Sequence, residues 1–170
     1  MKRLYFCRHG LSELNKAGIW SGSLDTPLAP EGRQQAEAAA VIASILRIDY
    51  IYSSSLSRAY DTAVIIAEAI GYPVDKIEQS DLAIERHFGV IEGTPWGTDV
   101  VMDSVPDAES SRGVIARAQS VYQHLQTIDA NNILIVSHGT FGRALRHVIH
   151  PDIPFDDSGK FTNAEIVQLL

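Results

Sequence analysis

The 170-residue chain is poor in cysteine, in positive charge and in long apolar runs. Its single cysteine, Cys7, excludes an intrachain disulfide framework and any zinc site built on several thiolates. Lysine and arginine number 14 against 21 aspartates and glutamates, a formal charge of −7. That balance argues against a nucleic-acid binder and against a basic membrane-surface protein, yet it leaves room for a small local cluster of cations. The longest mostly apolar stretch, residues 36–46, contains Glu37 and is too short to span a bilayer. Arg8 and His9 come before any signal-peptide core could form. The chain also lacks internal repeats, low-complexity tracts and linkers. A cytoplasmic protein with neither nucleic-acid nor membrane partners is the expectation.

What is present is an average globular composition, with 45% apolar and 21% charged residues, in a length that suits one domain over 1–170. Short β-like runs alternate with longer helical ones. Residues 4–7, 48–52, 132–137 and 165–170 read as strands, with 74–79 a weaker one. The 132–137 run is nearly all apolar, as a strand buried on both faces should be. After Pro30, Ala36, Ala39, Ala40, Ala43 and Leu46 fall on one helical face, with Ala29 where a capping serine or threonine would be preferred. Ala59, Ala63, Ile66 and Ile70 form a second stripe, stopped by Gly71 and Pro73. Val114, Ala118, Val121, Tyr122, Leu125 and Ile128 form a third, and Phe141, Ala144, Leu145, Val148 and Ile149 a fourth. The pattern predicts an α/β fold, a three-layer α/β/α sandwich with a mostly parallel central sheet. Residues 93–113 show no periodicity and carry Asp99, Asp103, Asp107 and Glu109, with Arg112 the one basic residue. They read as a short lid-like insertion.

Ligands of open α/β sheets bind beyond the carboxyl ends of the strands. Arg8-His9-Gly10 follow the first predicted strand, residues 53–58 ending in Arg58 the second, and His138-Gly139-Thr140 the buried one. Two imidazoles and two guanidinium groups are thereby predicted to meet at one rim. Arginine offers planar, permanently charged donors suited to phosphate oxygens. A neutral imidazole is a nucleophile, and phosphorus is a plausible electrophile beside two arginines. Gly10 and Gly139 permit tight turns close to a ligand, and the helix opening at Gly139 offers free N–H groups to an anion. Cys7, at the end of an apolar strand, reads as a buried thiol. His124, His147 and His150 have surface or packing roles, while Trp20 and Trp96 either fill a pocket mouth or cover core.

Arg8-His9-Gly10-Leu11-Ser12-Glu13-Leu14-Asn15 resembles the signature of the histidine phosphatase, or phosphoglycerate mutase-like, superfamily. The resemblance continues through Gly22, residues 25–28, Pro30-Glu31-Gly32-Arg33-Gln34-Gln35-Ala36, residues 53–63, Glu85 with Phe88-Gly89, Glu92-Gly93, Ser137-His138-Gly139 and Asn163. It implies that His9 takes the phosphoryl group as phosphohistidine, that Arg8, Arg58 and His138 hold its oxygens, that Asn15 is a further pocket residue, and that Glu85 protonates the leaving oxygen. Composition and spacing alone do not find Glu85. Gly139 and Thr140 complete the expected phosphate-binding set, and no metal or cofactor is expected. Asp61, one turn from Arg58, is placed to orient or partly neutralise it.

Mutases similar to this chain carry a longer insertion with added basic residues. The short acidic lid therefore points to a metal-independent phosphomonoesterase acting on a small phosphorylated metabolite, with a small or uncharged leaving group favoured by the acidic exterior. Mutase-type phosphoryl transfer, a phosphohistidine protein phosphatase acting on a phosphorylated partner, and an inactive phosphate-binding domain are the alternatives.

Overall fold

A computed structural model of the chain describes residues 2–156 and 159–170. Its elements follow the order β1 (Arg3–Arg8), α1 (Glu13–Lys16), α2 (Pro30–Leu46), β2 (Tyr50–Ser54), α3 (Ser57–Ile70), β3 (Glu78–Ser80), α4 (Ser111–Thr127), β4 (Asn132–Ser137), α5 (Gly139–Ile149) and β5 (Ile166–Gln168). The five strands form one sheet in the order β3-β2-β4-β1-β5. The first four are parallel and β5 runs antiparallel to β1. This is the α/β fold with a mostly parallel sheet that the alternating pattern predicts.

The period-2 geometry of the strands builds both halves of the core. On β1, Leu4 and Phe6 pack with α4 and α5, while Tyr5 and Cys7 pack with α2 and α3. On β4, Ile133 and Ile135 join the first cluster, and Leu134 and Val136 the second. Cys7 is fully buried, and burial, with Glu165 nearby, pushes its thiol up to about 12. It is inert at neutral pH. Ala36, Ala39, Ala40 and Ala43 are buried on α2, as their spacing predicts. Ala29 makes no side-chain cap and is itself fully buried, so packing takes the place of capping.

Several boundaries differ from the sequence expectations. The second strand starts at Tyr50 rather than Ile48, because Arg47 turns left-handed (φ 52°) and the Asp49 carboxylate accepts the Asn131 and Asn132 N–H groups. Residues 74–76 form a 3-10 turn after Pro73, which leaves only Glu78–Ser80 as strand. The last strand starts at Ile166, since Ala164 sits at φ 55°. The irregular stretch expected over 93–113 ends at Ser110, whose hydroxyl caps α4 by accepting the Gly113 N–H. Among the described residues no helix is long and apolar enough to cross a membrane.

Candidate active site

β1, β2 and β4 are parallel neighbours, so their carboxyl ends lie on one edge of the sheet. Arg8, His9, Arg58 and His138 are delivered there from far apart in sequence. The loop after β1 is held by backbone contact too close for any side chain. A Cβ on Gly10 would run into the Gly32 carbonyl, and one on Gly32 into the Leu11 carbonyl. Gln35 Oε1 accepts the Leu11 N–H at 2.8 Å, which ties the same loop to α2.

His9 is 3% exposed and fixed from every side. Its N–H donates to the Ser137 carbonyl (2.9 Å), and its own carbonyl accepts Asn163 Nδ2 (2.9 Å). The next residue, Gly10, donates to Thr62 Oγ1 (3.0 Å), whose hydroxyl donates to the Arg58 carbonyl (2.7 Å). The imidazole Nδ1 lies 2.6 Å from the Gly10 carbonyl, an acceptor only, so Nδ1 carries the proton. Nε2 is left with its lone pair, toward which Arg58 Nε donates at 3.3 Å. Burial, Arg58 and Arg8 push the His9 pKa well below its usual value, which keeps the ring neutral.

Arg58 is 1% exposed and held by two carbonyls, Leu24 O and Gly22 O, each at 2.7 Å. Burial lowers it to about 10 against the pull of Glu85 and Asp25, and it stays cationic at neutral pH. Asp61 does not orient it. The Arg58 side chain turns inward, whereas Asp61 faces outward and pairs with Arg33 at 3.5 Å. Arg8 donates Nη1 to the Phe161 carbonyl (3.0 Å), while its buried Nε has no partner among the described residues.

Glu85 occupies the place expected for a bound anion. Its Oε2 accepts the Thr140 N–H (3.0 Å), and its Oε1 accepts the Phe141 (3.1 Å) and Arg86 (2.8 Å) N–H groups. The open end of α5 is thus filled by a carboxylate of the chain itself, as the helix dipole favours. The Thr140 N–H is thus held by Glu85, while Thr140 itself lines the cavity. Gly139 lines the cavity, its Cβ position 3.7 Å from Arg8 Nε and 3.9 Å from Glu85 Oε2. With one N–H bond, Oε2 keeps a lone pair that a proton can occupy.

His138 is fully buried, its ring centroid 5.0 Å from that of His9. Ser54 Oγ lies 2.8 Å from His138 Nε2 and already accepts the Leu56 N–H. Its hydroxyl hydrogen is satisfied by donation to Nε2, which places the ring proton on Nδ1. That Nδ1 is buried with no partner among the described residues. Two buried donors beside the nucleophile, Arg8 Nε and His138 Nδ1, are therefore unspent, as a site awaiting anionic oxygens requires. Burial, together with Arg58, His9 and Arg8, also pushes the His138 pKa well below normal.

A cavity of about 450 Å³ opens over these groups, lined among others by Arg8, His9, Asn15, Arg58, Glu85 and Gly139. Asn15 donates Nδ2 to Ser21 Oγ (3.1 Å) and leaves its Oδ1 without a partner among the described residues. Trp20 and Trp96 both line the mouth, and Trp20 meets Phe88 edge-on at 5.2 Å. Glu92 clamps the wall by accepting the Ser23 and Phe88 N–H groups (2.8 and 2.9 Å). Among the described residues no group of three or more His, Cys, Asp and Glu side chains is placed to hold a metal ion.

Ser54, Thr62 and the Gly22 and Leu24 carbonyls were not legible in the sequence as site groups. Thr62 sits four residues from Arg58 on one helix, a spacing that could have found it. The carbonyls carry no side-chain signal at all. His124, His147 and His150 hold partners away from the site, Glu78, the Ile153 carbonyl and the Leu169 carbonyl respectively.

Comparison with known proteins places this geometry. The model of the histidine phosphatase superfamily (branch 1) matches residues 4–169. A Hydrogenobacter thermophilus protein provisionally named phosphoserine phosphatase 2 is 33% identical over 153 residues, covering 82% of this chain and 74% of that one. A 2,3-bisphosphoglycerate-dependent phosphoglycerate mutase of Rhizobium etli is 32% identical over 171 residues, covering 88% and 80%. Among solved structures, a mycobacterial glucosyl-3-phosphoglycerate phosphatase with VO3 superposes with a TM-score of 0.85 at 28% identity, covering 99% of this chain and 90% of that one. With the family model matching almost from end to end, the chain belongs to the histidine phosphatase superfamily.

Proposed function

We propose that this protein is a phosphomonoesterase working through a phosphohistidine on His9, without a metal ion. The observation that carries this reading is the state of His9: neutral, protonated at Nδ1 by its bond to Gly10, with the Nε2 lone pair facing the cavity between Arg8 and Arg58.

Nε2 attacks phosphorus and the P–O bond to the leaving group breaks. The electron pair of that bond goes to the leaving oxygen, which takes a proton from Glu85 Oε2. Positive charge on the phosphorylated ring is shared with the Gly10 carbonyl through Nδ1–H. The unspent N–H groups of Arg8 and His138 donate to the phosphoryl oxygens, and Arg58 gives up its bond to Nε2 for one to the phosphoryl group. Charge that develops on these oxygens meets fixed cations in a site already arranged for it. In the second step water attacks phosphorus and passes a proton to Glu85. The P–N bond then breaks, and inorganic phosphate leaves with His9 neutral again.

The named relatives include both phosphatases and mutases. Hydrolysis is favoured by the mouth of the cavity, where Trp96 stands 53% exposed, so the lid does not seal water out. Release of phosphate from p-nitrophenyl phosphate by wild-type protein, undiminished by chelator and abolished by His9→Ala, is the expected result. Activity that survives His9→Ala, or that chelator removes, refutes the reading. Isomerisation of 3-phosphoglycerate faster than its hydrolysis makes the protein a mutase instead.

A further inference from the structure

The run Pro30-Glu31-Gly32-Arg33-Gln34-Gln35 opens α2, and none of its side chains lines the cavity over His9. Its contacts are with the backbone of the loop that carries the nucleophile. Just ahead of it, the Ala29 N–H donates to the Leu11 carbonyl (2.9 Å). The Gly32 backbone lies against Gly10 and Leu11, too close for a Cβ on either glycine. Gln35, three residues on and on the same side of the helix, reaches the Leu11 N–H with Oε1 at 2.8 Å. A backbone N–H can only donate, so the partner is the amide oxygen of Gln35 and not its nitrogen.

The peptide held in this way is the one that holds His9. The Gly10 carbonyl and the Leu11 N–H belong to a single peptide unit, which is planar. At one end it gives a hydrogen to Gln35 Oε1, and at the other it accepts one from His9 Nδ1 at 2.6 Å. Fixing one end of a plane fixes the direction of the other. The units on either side are clamped too, His9–Gly10 by Asn163 and Thr62, and Leu11–Ser12 by Ala29. A peptide whose N–H is bonded also has a more negative oxygen, which strengthens the next bond by about 10–30%. The Gly10 carbonyl needs that strength most when the ring carries a phosphoryl group and a positive charge.

We infer that Gln35 is a positioning residue for His9: through the Gly10–Leu11 peptide it keeps the ring proton on Nδ1 and leaves Nε2 free to attack. It touches neither the substrate nor the reacting atoms. Without its oxygen the peptide can rotate, the Gly10 carbonyl leaves Nδ1, and the proton is free to move to Nε2, where it blocks the nucleophile. The opening of α2 is then a cradle for the nucleophile loop, with glycine where backbones touch and glutamine where the peptide must be aimed. The inference rests on the phosphohistidine reading for its effect on turnover, but the ring tautomer is read in resting protein.

Three substitutions test this. Gln35→Leu keeps a good helix former and removes the acceptor, Gln35→Glu keeps an acceptor in place, and Gln35→Ala lets water reach the half-buried Leu11 N–H. Ring nitrogen shifts are read without substrate in histidine-labelled protein, the His9 signals being those missing from His9→Ala. Wild type is expected to show Nδ1–H alone. Gln35→Leu should show a mixture, with kcat on p-nitrophenyl phosphate down about three- to tenfold, the worth of one neutral hydrogen bond. Gln35→Glu should recover Nδ1–H and most of kcat, and Gln35→Ala should fall between. Should Gln35→Leu not fold, the ring and the rate of Gln35→Ala carry the same test. A His9 ring that stays wholly Nδ1–H without the glutamine overturns the role, whatever the rate does. So does a mixed ring with unchanged kcat, or a mixture that Gln35→Glu does not correct. Turnover that survives His9→Ala defeats the phosphohistidine reading separately and leaves the tautomer result standing.

Discussion

Glu85→Gln separates the proton donor from the rest of the machinery. The three N–H donors on the carboxylate set the structural cost. A glutamine oxygen can take the Arg86 and Phe141 N–H groups that Oε1 now holds. Its amide nitrogen then faces the Thr140 N–H, donor against donor, where Oε2 had accepted at 3.0 Å. One buried N–H left unpaired costs about 1–3 kcal/mol. At about 2 kcal/mol, Tm should fall by roughly 4–8 °C for a chain of this length, which leaves the protein folded at assay temperature. The chemical cost depends on the leaving group. An alkoxide needs the proton, and losing a positioned general acid should slow the first step about 100- to 10,000-fold. p-Nitrophenolate is stable as an anion and leaves without it. Rapid mixing of Glu85→Gln with p-nitrophenyl phosphate should give a near-normal burst of nitrophenolate, followed by slow turnover as the phosphoenzyme waits for an activated water. An alkyl phosphate should give no burst. Equal slowing of the first turnover on both esters refutes the role of Glu85 as acid.

Two further outcomes follow from the buried histidines. His9 and His138 are held neutral in the folded protein, their pKa values pushed well below 6.5, whereas in the unfolded chain they protonate near that value. Below pH 6.5 the unfolded state binds more protons, so stability falls as pH falls and is fully present above about pH 7.5. Urea unfolding at pH 5.5 should show a loss of about 1.4 kcal/mol per histidine relative to pH 7.5, with His138→Asn removing roughly half of the total. An unfolding free energy that stays flat across that interval rejects the neutral pair. Ser54→Ala removes the partner of His138 Nε2 and the acceptor of the Leu56 N–H. Nitrogen chemical shifts should show the wild-type ring protonated at Nδ1 and the variant ring mixed, with kcat reduced; an unchanged tautomer contradicts the orienting role of Ser54.

Much of the fold was legible because periodicity reports burial directly. The alternation along β1 and the unbroken apolar run of β4 both state which faces are covered, and both faces of the sheet proved to be. Boundaries were less legible where a backbone angle or a side-chain cap decided them, as at Arg47, Ala164 and Ser110. The site was legible where a side chain projects from a strand end, as with Arg8, His9 and His138. It was not legible where backbone carbonyls do the holding, as with Gly22 and Leu24 on Arg58.

The sequence by itself determined the layer order, the meeting of two imidazoles with two arginines at one sheet edge, and through family resemblance the place of Glu85. Those follow from strand direction and local pattern, which each segment carries alone. Only the tertiary structure decided which ring nitrogen of His9 is free, that Glu85 rather than a ligand fills the end of α5, and that Ser54 orients His138. It also put Arg143 and Lys160 on the cavity wall of an acidic protein. These are relations between segments distant in the chain. A charge acts over a few ångströms across a buried wall, so its partners are set by packing and not by the sum of charges along the sequence.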